Sequence, residues 1–165
     1  MIQEKNMKLP FTIIEDTREQ TPFVFPDGVD IIRTCLKTGD YSIVGHEHNF
    51  TIERKSLSDL VGCMTNDPKR GVFNRDRFKR ELTRMMGLLY CAVVIEGTLE
   101  DVEEHRYRKK IHPNSVFGSC VSWTMTFGVP FIFAGNNAMQ KTLDLMLDYY
   151  ETQNQKEVHP CMQLA

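Results

Sequence analysis

The stretch of sequence that decides the fold reads Gly39-Asp40-Tyr41-Ser42-Ile43-Val44-Gly45-His46-Glu47-His48-Asn49-Phe50-Thr51-Ile52-Glu53-Arg54-Lys55. Two apolar runs flank a polar turn at 45–48, which predicts a β-hairpin. A four-residue turn sets the register so that Asp40 lies opposite Glu53. Because side chains alternate along a strand, Lys55 shares a face with Glu53 while Arg54 points to the other face. The hairpin is therefore predicted to bring two acids and an ammonium together.

This group of charges predicts a metal site. Two adjacent carboxylates repel each other, and their burial is unfavourable unless a cation neutralises them. Mg²⁺ prefers one or two carboxylates together with waters and phosphate oxygens, and Mn²⁺ is the alternative metal. Such a metal stabilises charge on a phosphoryl oxygen, and Lys55 could position the attacking water or neutralise the developing charge. The predicted reaction is phosphodiester hydrolysis.

An isolated Glu-Arg-Lys triplet is more often simply the charged end of a strand. Here the triplet is not isolated, because the run Glu15-Asp16-Thr17-Arg18-Glu19 ends another apolar strand in acids and a base. Asp59 also follows Lys55 by one turn of the next predicted helix. Several charged strand ends in one chain favour a site for an ionic substrate.

The order of the remaining elements predicts a single α/β domain with a central mixed β-sheet flanked by helices. Strands are predicted at 11–15, 29–33, 41–44, 50–54, 90–95 and 130–133. Helices are predicted after the N-cap Ser56, at 75–86, from Pro113, and along the apolar stripe of Met139, Leu143, Met146, Leu147 and Tyr150. The predicted domain covers 11–151, between a flexible N-terminus at 1–10 and a polar C-terminal tail at 152–165.

Composition limits the class of protein. The chain has 165 residues, of which 41% are hydrophobic and 25% charged, as in globular domains. Its net charge of -2 is unusual for a nucleic-acid protein unless the positive charge is concentrated on one face. The five cysteines form no Cys-x-x-Cys pair, which favours reduced thiols over zinc. Without a signal sequence or an apolar span, a cytoplasmic protein with no membrane association is expected.

Three motifs in order resemble those of the XPF/Hef endonucleases. They are Ile14-x-Asp16-x-Arg18-Glu19, then Gly39-Asp40-Tyr41, then Glu53-Arg54-Lys55-Ser56-x-x-Asp59-Leu60. The resemblance implies a restriction-endonuclease-like fold. It also implies metal-ligand and acidic site positions at Asp16, Asp40 and Glu53, and a catalytic lysine at Lys55. The supporting site residues that it implies are Arg18, Glu19, Arg54 and Asp59.

The same resemblance implies a role in DNA repair or recombination, with cleavage at branched or flapped DNA. Relatives that cut branched DNA carry a tandem helix-hairpin-helix domain and sometimes a helicase-like domain, for which this chain is too short. It looks more like the short stand-alone versions of bacteria and their viruses. The family works through paired nuclease domains, which implies a homodimer.

A basic segment follows the acidic motifs. Between residues 66 and 84 seven basic side chains stand against three acidic ones. Phosphate contacts from such a segment would supply affinity for DNA that is independent of sequence, although a solvated helix face has the same charge pattern. The predicted DNA-binding residues are Lys69, Arg70, Arg75, Arg77, Lys79, Arg80 and Arg84.

The helix that begins at Pro113 is apolar on several faces, so either the last helix or a second subunit is expected to cover it. Two alternatives to the endonuclease are a catalytically silent DNA-binding module of the same fold and a nucleotide-binding domain. The complete set of acids favours the enzyme over the silent module. The nucleotide-binding domain needs a Gly-rich turn after the first strand, and residues 17–20 supply none. No small-molecule cofactor is therefore expected.

Overall fold

A computed structural model describes residues 8–158, with side chains as far as residue 155. The predicted mixed sheet is confirmed, with six strands in the order β2-β1-β3-β4-β5-β6. The strands are β1 (Ile13–Asp16), β2 (Ile31–Thr34), β3 (Tyr41–Ile43), β4 (Phe50–Ser56), β5 (Tyr90–Glu96) and β6 (Phe131–Phe133). The helices are α1 (Leu57–Gly62), α2 (Asn74–Met85), α3 (Leu99–Glu103), α4 (Pro113–Phe127) and α5 (Ala138–Val158).

Strand pairing divides the sheet into two halves. The β3 strand pairs antiparallel with both β1 and β4, while β2 runs parallel to β1 at one edge. The β4, β5 and β6 strands are parallel to one another, so helices must connect them across the sheet. The two longest strands, β4 and β5, lie side by side, and β4 carries Glu53 and Lys55.

The sheet has a separate apolar layer on each face. On one face Val93 and Ile95 of β5 pack with α1, α2 and α4. On the other face Ala92 and Val94 of the same strand pack with α5. Alternation along the strand thus assigns α5 to the opposite side from the other large helices. The last helix therefore does not cover α4, and Met125 of α4 remains 81% exposed.

Helix caps explain several boundaries. Ser56 is the N-cap of α1 as predicted, and its hydroxyl accepts a hydrogen bond from the backbone N–H of Asp59. Pro113 opens α4 in the first turn, where its missing N–H costs no helical bond. The α3 helix was not predicted, although Thr98 and Asp101 form the reciprocal hydrogen bonds of a capping box. Its five residues are too few to show helical periodicity.

The two ends differ in part from the predicted domain limits. Leu9 is buried in the layer beneath α5, so the ordered core begins before residue 11. The α5 helix continues to Val158, so the first part of the predicted polar tail is helical. The predicted flexible residues 1–7 and the tail residues 159–165 lie outside the described part of the chain. Within residues 8–158 no helix is long and apolar enough to cross a bilayer.

Candidate active site

The hairpin register matches the prediction. Tyr41 of β3 pairs with Ile52 of β4, and the backbone N–H of Asp40 donates to the carbonyl of Ile52 at 2.8 Å. Regular pairing ends at Tyr41, but the Asp40 carboxylate reaches β4 directly, where it accepts a hydrogen bond from the backbone N–H of Arg54 at 2.8 Å, next to Glu53. The pairing of β1 with β3 continues in the same way, since the N–H of Asp16 donates to the carbonyl of Asp40 at 2.8 Å. Asp16, Asp40 and Glu53 therefore follow one another across the ends of three neighbouring strands, and we call these three acids the row.

Gly39 allows the chain to enter this row. Its φ of +77° lies in the left-handed region, which side chains rarely adopt. A Cβ at this position would also lie 2.0 Å from the hydroxyl oxygen of Thr51 on β4. The glycine before Asp40 is thus required both by the backbone angle and by the close approach of β4.

Lys55 contacts Glu53 directly. Its Nζ donates to Glu53 Oε1 at 2.5 Å, and both side chains are largely buried. The ammonium lies 4.6 Å from the ring centroid of Phe78 and 3.9 Å from Oε2 of Glu81, two residues of α2. Glu81 was not predicted as a site residue. Sequence periodicity places it on the flank of α2, but only packing shows that this flank faces Lys55.

Burial and neighbouring charges change the pKa values of the site residues. Burial raises the pKa of Asp40 to about 6, against the hydrogen bond from the backbone N–H of Arg54 and the charge of Lys55. The pKa of Glu53 is also raised well above its ordinary value, by burial and by the charges of Asp40 and Glu81. Burial opposes the charge of Lys55, but the fields of Glu53 and Glu81 outweigh it and raise its pKa. The site thus holds more acid than one lysine neutralises.

A divalent cation fits this donor set. Two carboxylates whose ionisation is disfavoured are stabilised when a cation binds between them, and Mg²⁺ commonly uses one or two protein carboxylates. Asp40 and Glu53 could supply them. Among the side chains described, those of residues 8–155, no cluster of three or more His, Cys, Asp or Glu has metal-binding geometry. The fit therefore rests on this pair of acids.

Asp16 shares the row, but its carboxylate is occupied by other partners. Arg18 donates to both of its oxygens at 2.7 and 2.9 Å, and the backbone N–H of Leu36 donates at 2.6 Å. Burial would raise the pKa of Asp16, but these hydrogen bonds from Arg18 and Leu36 outweigh it and lower the pKa. The structure thus joins Asp40 and Glu53, whereas Asp16 and Arg18 form a separate ion pair beside them.

The other supporting residues surround the β4 end. Arg54 points to the opposite face, as predicted, where its guanidinium binds Glu96 at 2.8 Å and Glu19 at 3.4 Å. The Asp59 carboxylate accepts a hydrogen bond from Ser56 Oγ at 2.7 Å at the start of α1. These contacts hold the strand end and the helix start in place.

A polar cavity of about 210 Å³ opens beside Lys55. It is lined by Arg54, Lys55, Asp59, Gly62, Cys63, Asn74 and Arg77. A larger cavity of about 400 Å³ lies at the other end of β5 and is lined mainly by apolar side chains such as Phe50, Leu89 and Tyr149. Of these two cavities, the polar one is the better substrate site, because it is lined by the cationic side chains of Arg54, Lys55 and Arg77, which can bind a phosphodiester.

The basic segment is only partly arranged as predicted. Arg77, Arg80 and Arg84 are exposed and follow one another on the flank of α2 that carries Glu81. Arg75 differs, because its guanidinium donates to the carbonyl of Met64 and lies 5.4 Å from the Trp123 ring centroid. That side chain supports the fold rather than a free basic surface. Exposed Lys69 and Arg70 precede the helix, and Lys79 lies on its other flank.

Comparison with known proteins agrees with this architecture. The chain matches the ERCC4 domain family over residues 15–145. It belongs to the ERCC4 domain family. Two solved structures, XPF from Aeropyrum pernix and the same protein in complex with DNA, each match with a TM-score of 0.60 and 18% identity. They cover 86% and 87% of this chain, which spans 61% and 66% of theirs. The fold is thus that of the XPF nuclease domain, as the motifs predicted.

A curated relative also contains a region similar to this ERCC4 domain. A Methanocaldococcus jannaschii protein described as an ATP-dependent RNA helicase is 26% identical over 156 residues. The alignment covers 94% of this chain but only 17% of that protein. The similarity therefore concerns one region of a much longer chain, and the comparisons together support an ERCC4 domain with the XPF-type fold.

The raised pKa of Asp40 predicts how this ERCC4 domain responds to pH without metal. Between about pH 4 and pH 6 the folded protein retains a proton that the unfolded chain releases, because the pKa rises from 3.8 to about 6 on folding. The free energy of unfolding therefore falls as pH rises through that window, and Asp40→Asn removes the fall. At pH 7 in chelator we expect the variant to be more stable by up to about 3 kcal/mol.

Urea unfolding of both proteins at pH 3.5 and pH 7 measures this difference. The advantage of Asp40→Asn should be largely absent at the lower pH, where Asp40 is protonated in both states. Asp27→Asn, at an exposed position outside the site, is the control and should behave as wild type. An Asp40→Asn variant that is no more stable than wild type at pH 7 would contradict the raised pKa.

Proposed function

We propose that this ERCC4 domain is a metal-dependent DNA endonuclease that hydrolyses phosphodiester bonds, with branched or flapped DNA as its substrate class. The observation that carries the proposal is the partly buried Asp40 carboxylate next to buried Glu53, with Lys55 in contact with Glu53 and a polar cavity alongside. Two acids beside one ammonium leave negative charge that is not neutralised, which lowers stability and is unfavourable in a purely structural element. This arrangement is useful for binding a cation and a phosphate together.

Asp40 and Glu53 are the residues that would hold Mg²⁺ or Mn²⁺. When bound, the metal supplies charge for the phosphoryl oxygens and lowers the pKa of a water. Asp16 keeps Arg18 and the backbone of residue 36 in place next to this pair, which is a positioning role. Glu19 and Arg54 brace the end of β4 from the other face.

Lys55 has two acidic neighbours, which suggests how it can serve the reaction. The ammonium of Lys55 bonds to the Glu53 carboxylate that would also hold a cation, and Glu81 offers Nζ a second acceptor at 3.9 Å. The ammonium also lies over the ring face of Phe78, in a cation–π contact. Lys55 can therefore remain charged and directed at the cavity, where it orients the attacking water or neutralises the phosphoryl oxygens.

DNA phosphates fit the arginine stripe of α2, defined by Arg77, Arg80 and Arg84. We expect Arg77→Glu with Arg80→Glu to weaken duplex binding by at least tenfold at low salt. The slope of log affinity against log salt should also flatten by about 2, since each phosphate contact contributes about 0.9. Fluorescence anisotropy in chelator at several salt concentrations measures both quantities.

The control for this experiment is Lys8→Glu with Lys141→Glu, which makes the same change in net charge near α5 on the opposite face of the sheet. It separates local contacts from the overall charge of the protein. If the stripe variant keeps the wild-type salt slope, the arginines of α2 form only a solvated helix face.

A homodimer is proposed for the uncovered side of α4. Val121 and Met125 are 62% and 81% exposed and border an apolar groove of about 380 Å³ next to Phe131 and Phe133. A self-complementary apolar patch of this kind suits a twofold interface. Sedimentation velocity should give a dimer mass for wild type and a monomer mass for Met125→Glu. A monomeric wild type at micromolar concentration would exclude the homodimer.

A cleavage panel tests the proposed activity against the catalytically silent alternative. End-labelled flap, fork, junction, duplex and single-stranded DNA are incubated with the protein in Mg²⁺, in Mn²⁺ and in chelator. We expect cuts in at least one branched substrate that depend on metal and disappear in chelator. Binding without cleavage under every condition would favour the silent DNA-binding module, and the absence of both would reject the proposal.

A further inference from the structure

A second basic surface lies in the loop between α3 and α4. Four of the five residues from 106 to 110 are Arg or Lys, and these four are exposed. Arg106 is neutralised by Asp101 and Glu104. Among the side chains of residues 8–155, no acidic group forms an ion pair with Arg108, Lys109 or Lys110. We name these three residues the basic loop; they belong neither to the acidic site nor to α2.

The loop is ordered by its own side chains. Tyr107 is buried in the layer beneath α4, and its hydroxyl donates to the carbonyl of Ile111 at 2.8 Å. The ring of His105 stacks on Tyr107 at 4.2 Å, and its Nε2 lies 2.9 Å from the carbonyl of Lys109. His105 also has a φ of 56°, a conformation that few residues other than glycine adopt. The backbone that carries the three cations is thus held in one shape before any ligand binds.

This surface adjoins the candidate active site. The Nζ of Lys109 donates to the carbonyl of Gly62 at 3.3 Å and to the hydroxyl of Thr65 at 3.2 Å. Gly62 lines the same polar cavity as Lys55 and Arg77. The basic loop and the arginine stripe of α2 therefore both border the region around that cavity.

We propose that the basic loop is a second phosphate-binding surface, which contacts the DNA backbone next to the polar cavity while α2 contacts it from another element. The inference rests on the proposed function. A ligand with regularly repeated phosphates is the partner that fits, because two separate cationic surfaces adjoin one cavity. Since Tyr107 is buried, the loop presents charge rather than a ring on which bases could stack, which favours contacts independent of sequence.

The test uses Arg108→Gln with Lys110→Gln, which removes two charges but keeps Lys109 and its contacts to Gly62 and Thr65. Lys8→Gln with Lys141→Gln removes the same charge from the opposite face and is the matched control. Binding of flap and duplex DNA is measured in chelator between about 50 and 200 mM salt. We expect the loop variant to flatten the salt slope by about 2, whereas the control keeps the wild-type slope.

Because the two slopes differ by about 2, the ratio of wild-type affinity to loop-variant affinity should fall about tenfold between about 50 and 200 mM salt. Wild-type protein that neither binds nor cuts DNA would reject the proposed function. Wild-type protein that binds and cuts, with a loop variant indistinguishable from the control, would reject only the basic loop.

Thermal melting checks that the loop variant is folded. If its melting temperature falls below that of the control, Lys110→Gln alone replaces it, with an expected slope change of about 1. Cross-linking gives a readout that does not depend on affinity. A photoreactive phenylalanine analogue at position 110 should label DNA, whereas the same analogue at position 141 should not, and labelling of equal strength at both positions would contradict the proposal.

Discussion

Asp40→Asn and Glu53→Gln are each expected to abolish DNA cleavage while leaving DNA binding largely in place. Both substitutions keep the shape of the side chain and remove the charge that would hold a cation. The loss should reach about 10³-fold or more, because metal stabilisation of phosphoryl charge contributes several kcal/mol to the transition state. The Asp40 carboxylate bonds to the backbone N–H of Arg54, next to Glu53, so each variant should disable the same step.

Single-turnover cleavage of a substrate found in the panel measures the rate, and anisotropy in chelator measures binding. Glu47→Gln changes an acid at the hairpin tip and should cut at the wild-type rate. Calorimetric titration of Mn²⁺ should show weaker binding in both site variants. Rates within a few-fold of wild type in both variants would refute the assignment of these acids.

Lys55→Ala is expected to lose two to four orders of magnitude in the cleavage step while still binding metal. The ammonium is not a metal ligand, and the expected loss is typical of removing one acid-base or charge-stabilising group. Lys55→Arg should restore the activity only in part, because a guanidinium is planar and larger and does not release its proton. Removing the ammonium also frees the Glu53 carboxylate, so metal affinity should not fall.

Glu81→Gln extends this experiment into a double-mutant cycle. If Glu81 acts through Lys55, its substitution should slow the wild type but add little to Lys55→Ala. Glu100→Gln, at an exposed position on α3, is the control and should change neither background. Additive losses for Glu81 and Lys55 would mean that Glu81 works independently, and a wild-type rate for Lys55→Ala would contradict its role in the reaction.

The hairpin could be predicted from sequence because its geometry is local. Turn length and the period of two decide which residues face one another, so the convergence of Asp40, Glu53 and Lys55 required no knowledge of distant contacts. The strands were recognised for a similar reason, since short apolar runs between turns leave few other structures open. The unpredicted α3 helix shows the limit of this approach, because its five residues have an N-terminal capping box but are too few to show helical periodicity.

Side-chain contacts between elements distant in sequence could not be predicted in this way, and Asp16 is the clearest case. Its position in the row follows from strand pairing and Arg18 is only two residues away, but only the fold brings the N–H of Leu36 onto its carboxylate. Arg75 looked like any other arginine of the basic segment, yet it lies against Trp123 of α4. In both cases the partner comes from another element, and neither charge nor spacing along the chain reveals it.

What the sequence by itself determined is the set of local patterns: the strands, the caps, the hairpin register and the presence of acids and lysine at one strand end. Only the tertiary structure decided which helix flank meets that strand end, and so revealed Glu81, the uncovered side of α4 and the basic loop beside Gly62. The physical reason is that α5 and α2 each have an apolar stripe that could pack on either face of the sheet. The choice between faces depends on the path of the chain between parallel strands and on the summed packing of both layers.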